Sequence, residues 1–502
     1  MSVEYLKRIL NARVYDVAIE SNLDYAPLLS RKLQNDVWLK REDLQPIFSF
    51  KLRGAYNRMV RLTEEQRAAG VVASSAGNHA QGVALAARKL QIKATIVMPV
   101  TTPSIKVEAV RRLGSAVILE GDSYDGAYEH ATALSSKHGY TFVHPYDDPD
   151  VIAGQGTVGM EILKQHSGDL HAIFVPVGGG GLIAGIAAFV KEMRPEVKVI
   201  GVEPTDAAAM ARSLEAGERV RLTSVGSLAD GVAVKQVGVE TFRIVRELVD
   251  EIIEVSNDEI CGAVKEIFED RRSILEPSGA LAYAGIKAYV EREGVTGLSM
   301  VAIASGANMN FDRLRWISER AEIGERREAV LAVKIPERPG SFRQFCAAIG
   351  ARSVTEFNYR YADSKEAHVF VGLQISNSAE LADILSHLRS LEYETIDLTD
   401  NEVAKLHVRH MVGGRAPQVG EETILNFQFP ERPGALMNFL LRMGERWNIS
   451  LFHYRNHGAD FGRVLVGMQV PPDEKVELNK FLMDLNYAYT TETENPAIGL
   501  FL

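Results

Sequence analysis

The stretch VKIPERPGSFRQF, beginning at Val333, returns as FQFPERPGALMNF, beginning at Phe427, so the pentapeptide PERPG stands at Pro336–Gly340 and again at Pro430–Gly434. Further on, FNYR at 357–360 is matched by FHYR at 452–455, and VFVGLQI by VLVGMQV. The first offset is 94 and the later ones 95, so one inserted residue reconciles all three. Self-similarity of this kind commits both segments to the same fold. Each copy reads as strand, Pro-Gly turn, short helix, strand, hairpin, strand and a closing helix such as AELADILSHLRSL, an order that suits a small βαββαβ unit. The repeat predicts a paired regulatory module over 329–402 and 423–494 and leaves residues 1–320 as a separate body.

That first body has another rhythm. From residue 70 to about 310, apolar runs such as GVVASS, KATIVMP and AVILEG alternate with helical patterns such as NHAQGVALAARKL and YDGAYEHATALSSKHG. HAIFVPV, GGGG, LIAGIAAFVKEMR and VKVIGVEP then form a βαβ crossover, which implies a buried parallel sheet and an α/β class. Ligands bind beyond the carboxyl ends of such strands, where SSAGN and GGGG fall. The charged run SERAEIGERREA, 318–329, reads as a connector.

With 502 residues the chain needs several cores, at about 150 residues per domain. A net charge of -10 argues against a grip on nucleic acid or anionic lipid, leaving small molecules and other subunits as partners. Cys261 and Cys346 stand far apart and form neither a disulfide framework nor a metal-ligand cluster, which suits a reducing compartment. MSVEYLKRIL has neither a signal-peptide nor a transit-peptide composition, and no run of about 18 apolar residues occurs, so a cytoplasmic location is expected.

Five stretches carry possible chemistry. Lys51 lies in IFSFKLRGAYN beside Phe48 and Phe50, where desolvation would depress its pKa and free the amine to form a Schiff base with an aldehyde cofactor. SSAGNHAQG, 74–82, sets a polar turn before a helix. Asn78 could simply cap that helix, but free N–H groups beside the Ser74 and Ser75 hydroxyls could also receive a substrate carboxylate. His79 reads as helical packing or a polar neighbour rather than a proton shuttle. Gly178–Gly181 follow a strand and open a helix, so their N–H groups can wrap a phosphate without obstruction. A dinucleotide remains a competing ligand there, since Gly179, Gly181 and Ala184 fit G-x-G-x-x-A and Glu203 ends the next strand. EPSGA at 276–280 and ASGANMNFD at 304–312 are further turns of small residues.

Taken in order, SFKLRGA, SSAGNHAQG, GGGGL and SGAN resemble fold-type II (tryptophan synthase β-like) pyridoxal 5'-phosphate enzymes, and among them the threonine dehydratase family, which also carries two ACT-like subdomains. The resemblance implies that Lys51 holds the cofactor with Phe50 beside it, and that Asn78 meets the ring hydroxyl. It implies that Gly178, Gly179, Gly180, Gly181 and Leu182 bind the phosphate and that Ser305 faces the ring nitrogen. Ser74, Ser75, Ala76, Gly77 and Asn78 would hold the substrate. It further implies elimination of threonine, possibly also serine, to a 2-oxo acid and ammonia in a cytoplasmic homotetramer inhibited by isoleucine and opposed by valine. No metal is expected, because Ala209 stands where metal-binding relatives carry an acidic ligand after the equivalent of Glu203. Ala76 replaces the serine of related serine racemases, which favours elimination. Effector contacts are expected at Glu337, Phe342, Arg352, Tyr359, Arg360, Tyr454 and Arg455. Ser341 and Gln344 offer the first PERPG helix an S-x-x-Q capping box that Ala435 denies the second. Outside this family, a dinucleotide-dependent dehydrogenase with an amino-acid-sensing tail would share the glycine loop but leave Lys51 and SSAGN without work.

Overall fold

The computed structural model describes residues 2–226, 228–311, 313–324, 327–350, 352–362, 365–401, 403–404, 408–411, 413–414, 416, 419–430, 434–455, 461–495 and 498. The chain divides into two units, Met1–Gly324 and Glu325–Leu502. Among the described residues no helix is long and apolar enough to cross a membrane.

The first unit contains two sheets. One has six strands in the order Leu23–Tyr25, Asp36–Arg41, Ser299–Ala304, Ala172–Pro176, Lys198–Pro204, Glu251–Val255. Only the pair at the Leu23–Tyr25 edge is antiparallel. The other sheet, Ala116–Leu119, Ala94–Met98, Val71–Ser74, Thr141–Phe142, is parallel throughout. Val71–Ser74 and Ala172–Pro176 are buried along their whole length. Alternate residues of Ala172–Pro176 enter two different cores, Ala172 and Phe174 one, Ile173 and Val175 the other. Burial on both faces is the reason HAIFVPV is an unbroken apolar run.

Helix Pro149–Gln165 supports two others. Asp148 caps it by accepting the N–H groups of Asp150 and Val151 at 2.8 and 3.1 Å, and Pro149 occupies a first-turn position that lacks an acceptor in any case. Its glycines allow backbone contact. A Cβ on Gly154 would stand 2.7 Å from the Cα of Gly54 in helix Lys51–Met59, and one on Gly185, in helix Gly181–Met193, 2.6 Å from the nitrogen of Gly156. The helices that begin at Lys51 and at Gly181 therefore rest on the same support. A buried charge network adds to it: Arg53 donates to Glu42 at 2.7 and 2.8 Å and to Glu161 at 2.6 and 3.0 Å, while Lys40 lies 2.6 Å from Glu161. All four side chains are essentially inaccessible, so each charge depends on its partners for the solvation that water no longer supplies.

The second unit is one antiparallel sheet of eight strands, ordered Glu394–Asp397, Glu328–Pro336, Glu366–Gln374, Val354–Arg360, Asn448–Arg455, Phe461–Gln469, Glu422–Pro430, Ala488–Thr491. Each half is a βαββαβ copy, with helices Ser341–Ile349 and Ser378–Ser390 in the first and Ala435–Met443 and Lys475–Leu485 in the second. The copies join through equivalent strands, FNYR beside FHYR. Asn358 lies opposite His453, its own counterpart in the repeat, so the pairing is pseudo-symmetric. Both PERPG segments follow a strand and precede a helix. Gly340 and Gly434 adopt φ of 88° and 86°, the left-handed turn that favours glycine. Glu431, Arg432 and Pro433 of the second copy lie outside the described residues.

Three local expectations are corrected. The connector is shorter than 318–329, because helix Arg313–Gly324 runs through its first half and Glu328 already opens a strand. The charges there are satisfied by pairing within the unit, the buried Arg320 with Asp258 and Glu322 with Lys265, so charge density did not mark a loop. Ser341 is the first helical residue rather than the cap, which is Gly340, and its buried Oγ has no described partner, so the capping box does not form. Asn78 likewise begins its helix, with Gly77 in the cap position.

Candidate active site

The approach to Lys51 is stitched to the loop that leaves strand Ser299–Ala304. The Phe50 N–H donates to the Ser305 carbonyl at 3.3 Å, and the Ala307 N–H donates to that of Phe48 at 2.9 Å. Lys51 then starts its helix half-buried, with Nζ 5.2 Å from the Phe50 ring centroid. Burial pushes its amine down to about 8, against the opposing pull of the Glu276 carboxylate. An amine at that value has a substantial neutral fraction near pH 8, and the neutral form is the nucleophile and base.

Glu276, beside it electrostatically, precedes helix Pro277–Glu293 and is buried; burial, with Asp230 second, raises its carboxyl to about 7. Its Oε1 accepts from Asn78 Nδ2 at 2.6 Å. The Asn78 Oδ1 in turn accepts from Asn308 Nδ2 at 2.7 Å. Ser305 is buried and its Oγ donates to the Ser278 carbonyl at 3.1 Å. Lys51, Asn78, Glu276 and Ser305 are thereby gathered from four separate segments by hydrogen bonds and one electrostatic contact.

The SSAGN turn adds donors. Ser74 ends its strand wholly buried, and its Oγ has no described partner. The Ser75 Oγ accepts the Gly77 N–H at 3.2 Å. The N–H groups of Ala76, Asn78 and His79 have no described acceptor. A Cβ on Gly77 would meet nothing within 4 Å, so the turn borders open space. His79 Nε2 lies 2.9 Å from the Val143 carbonyl, and burial pushes its pKa down to about 3, leaving the ring neutral and excluding a proton-carrying role at neutral pH.

The glycine loop is built by exclusion. A Cβ on Gly178 would meet the Val232 Cα at 2.9 Å, and one on Gly179 would come closer than 3.0 Å to three ring carbons of Tyr146. Gly180 has φ of 96°. The loop is pinned from behind by the Thr241 hydroxyl, which donates to the Gly179 carbonyl at 2.6 Å. Among the described residues, none of the N–H groups of Gly178–Leu182 donates to a protein acceptor, which leaves a nest of donors at the start of helix Gly181–Met193. Gly231 and Val232 link this loop to the Glu276–Ser278 turn, since a Cβ on Gly231 would come closer than 3.0 Å to the Ser278 Oγ. Sequence reasoning did not identify Tyr146, Thr241 or Val232, which lie far from the loop in the chain and carry no local signal.

Glu203 answers the dinucleotide alternative. Its carboxylate accepts the N–H groups of Met210 and Ala211 at 2.9 and 2.8 Å and is wholly buried, so it is engaged at the helix that follows and cannot reach a ribose. The donor set instead fits a phosphorylated aldehyde: a depressed lysine amine, a nest of free N–H groups and an Asn78 amide with a second N–H to give. A lysine and an anion nest at the carboxyl edges of parallel sheets define a class of enzyme that anchors a phosphate-bearing aldehyde cofactor.

The comparisons with known proteins agree. Residues 17–306 match the model described as "Pyridoxal-phosphate dependent enzyme", and residues 319–408 and 413–502 each match "C-terminal regulatory domain of Threonine dehydratase". The chain is 58% identical over 504 residues to the L-threonine dehydratase biosynthetic IlvA of Burkholderia multivorans, covering 100% of this chain and 99% of that one. It is 52% identical to the protein of the same name from Escherichia coli, covering 99% and 97%. Among solved structures, the processed form of threonine deaminase isoform 2 from Solanum lycopersicum is 52% identical, with a TM-score of 0.63 over 64% of this chain and 88% of that one. Maize serine racemase is 33% identical with a TM-score of 0.58 over 62% of this chain and 96% of that one. The chain belongs to the pyridoxal-phosphate-dependent enzyme family, in the branch that carries the threonine dehydratase regulatory domain, and its cofactor is pyridoxal 5'-phosphate.

In the regulatory unit the expected effector residues separate. Glu337 accepts a short hydrogen bond from the Tyr359 hydroxyl and another from Asn448 Nδ2 at 2.9 Å, and Phe342 packs edge-on to Tyr359 at 4.9 Å between centroids. These three gather at the turn that ends in Gly340. Arg360, next along the strand, projects to the opposite face by the alternation of strand side chains and pairs with Glu422. Arg352 bonds Glu380 at 3.0 Å. Tyr454 lies opposite Phe357 on the adjoining strand and Arg455 opposite Glu356; the Arg455 side chain is outside the described residues.

Proposed function

We infer that the chain dehydrates L-threonine to 2-oxobutanoate and ammonia, the committed step of isoleucine biosynthesis, under feedback inhibition by isoleucine. The observation that carries this reading is Lys51 held beside Phe50, in a site with the directed Asn78–Glu276 bond, in a chain whose full-length relatives bear the threonine dehydratase name. In it, Lys51 anchors pyridoxal 5'-phosphate beside Phe50, and the N–H groups of Gly178–Leu182 hold the phosphate. Asn78 would donate to the ring oxygen and the Ser305 hydroxyl would face the ring nitrogen. Once bound, the cofactor supplies an electron sink for the pair left at Cα when its proton departs. Lys51 would accept that α-proton, the β-hydroxyl would leave as water, and the released enamine would take up water to give 2-oxobutanoate and ammonia; a base near 8 suits the proton transfer at neutral to mildly alkaline pH. The turn Ser74–Ser75–Ala76–Gly77–Asn78 orients the substrate carboxylate through backbone N–H groups. Ala76 offers no acid or base on the other side of the substrate, so elimination is favoured over racemisation.

For the second unit we propose that isoleucine, with valine competing, is received among the expected contacts Glu337, Phe342, Arg352, Tyr359, Arg360, Tyr454 and Arg455, with Glu337, Phe342 and Tyr359 at its centre. We also propose regulatory subdomains over 329–402 and 423–494 and a cytoplasmic homotetramer; the expected end of the catalytic domain at 320 moves to Gly324, where the helix Arg313–Gly324 ends. Purified protein reconstituted with the cofactor should release 2-oxobutanoate and ammonia from threonine faster than pyruvate from serine, and isoleucine should slow it. Pyruvate as the faster product, or indifference to isoleucine, would overturn the corresponding half of the reading.

A further inference from the structure

An asparagine amide is nearly symmetric in shape, so whether it presents N–H or C=O to a ligand depends on neighbours that can tell the two ends apart. Asn78 has two such neighbours. Its Nδ2 donates to Glu276 Oε1 at 2.6 Å, and its Oδ1 accepts from Asn308 Nδ2 at 2.7 Å. Turning the amide over would set N–H against N–H at Asn308 and, where Glu276 is ionised, oxygen against carboxylate oxygen. Asn308 is itself oriented, because the same Nδ2 donates to the Ile47 carbonyl at 2.6 Å, and a backbone carbonyl can only accept. Both hydrogens of Asn308 Nδ2 are therefore committed. The chain of directed bonds runs from the segment just before Lys51, through the loop after strand Ser299–Ala304, to Asn78 and on to Glu276. One N–H of Asn78 remains with no described acceptor.

We propose that Asn308 and Glu276 are positioning residues that lock the Asn78 amide so that an N–H, not a carbonyl, faces the ring oxygen of the cofactor. This rests on the reading that Asn78 meets that oxygen. An N–H there stabilises the ionised ring oxygen, whereas a flipped carbonyl would repel it, so the lock acts on cofactor affinity and on the charge state of the ring. Neither Asn308 nor Glu276 need touch the substrate for this. Glu276 acts as an acceptor, a role an uncharged amide oxygen can fill.

The test is a double-mutant cycle on the full-length holoenzyme, reading the dissociation constant of pyridoxal 5'-phosphate and the visible absorption band of the bound cofactor. Asn308→Ala is expected to raise the dissociation constant roughly tenfold, the scale of one well-placed hydrogen bond to a charged group, and to shift the band. Asn78→Ala should do at least as much. In the Asn78→Ala background, Asn308→Ala should add no more than about twofold, because its effect passes through Asn78. Asn308→Leu, close in size but without a donor, carries the same comparison if the alanine variant does not fold. Glu276→Gln should stay within about twofold of wild type in affinity and keep its band, while Glu276→Ala should match Asn308→Ala. Multiplicative effects in the cycle, or Glu276→Gln as damaging as Glu276→Ala, would overturn the lock. An unchanged affinity and band in Asn78→Ala alone would instead locate the fault in the placement of Asn78 at the cofactor, and the lock would fall with it.

Discussion

Adding a single methyl group at Gly179 should cripple cofactor binding, and the reason can be worked from the loop. Its Cβ would stand closer than 3.0 Å to three ring carbons of Tyr146, where ordinary contact begins near 3.4 Å. The ring or the loop must therefore yield by roughly 1 Å, and overpacking of this kind costs about 1–3 kcal/mol. Tyr146 is not free to swing. Its hydroxyl donates to the Gln236 carbonyl at 3.1 Å and its ring stands edge-on to His144 at 4.6 Å. Losing that hydrogen bond adds about 1 kcal/mol. If the sum of about 2–4 kcal/mol is expressed as displacement of the loop, the dissociation constant of pyridoxal 5'-phosphate rises roughly 30- to 900-fold. Removing the obstacle should reverse it: Gly179→Ala combined with Tyr146→Ala should recover most of the affinity, measured by fluorescence titration of the apoenzyme. Gly180→Ala should show no such rescue, because φ of 96° strains any residue with a side chain regardless of the space available. Equal affinity in Gly179→Ala and wild type, or failure of the Tyr146→Ala rescue, would refute the claim that close packing behind the glycines shapes the phosphate nest.

Other expectations follow from burial and charge. Glu276 holds a proton more tightly folded than unfolded, up to about 7, so folding stability falls as pH rises from about 4.5 to that value and by about 3 kcal/mol in all. The Glu276→Gln apoenzyme should lose this dependence and gain in relative stability above pH 7, checked by thermal unfolding at pH 5 and 7.5; an identical pH slope in both proteins would count against the buried, raised carboxyl. Arg53→Met removes the partner of Glu42 and Glu161, both fully buried, and should destabilise the catalytic unit by about 3–5 kcal/mol in denaturant unfolding; a shift below about 1 kcal/mol would mean water reaches that network. Tyr359→Phe deletes only the hydroxyl that bonds Glu337 and should raise the isoleucine concentration for half-inhibition several-fold with turnover intact; unchanged inhibition would place the effector elsewhere.

The sequence was most legible where chemistry and periodicity coincide. Parallel strands could be read from their unbroken apolar runs because both faces are buried, and the paired βαββαβ module from its repeat. Lys51 and the glycine loop stood out because a lysine flanked by aromatics and four consecutive glycines are unusual, although only Phe50 packs at the amine and Phe48 is exposed. What stayed hidden were relations between distant segments. No local pattern announces that Tyr146 fills the back of the glycine loop, that Asn308 sets the orientation of Asn78, or that Asp36–Arg41 inserts as a parallel strand beside Ser299–Ala304. Local rules also misled: the Ser341–Gln344 spacing matched a capping box, yet Gly340 takes the cap and places Ser341 inside the helix. Charge in SERAEIGERREA suggested a connector although its first half is helical.

The central claim is that Lys51 carries the cofactor in a threonine-eliminating site. Borohydride reduction of the holoenzyme, followed by proteolysis and mass spectrometry, tests it most directly. The account expects the reduced cofactor on the peptide that contains Lys51, with threonine turnover abolished in step with labelling. Label on any other lysine, or full labelling of Lys51 with turnover intact, would contradict it.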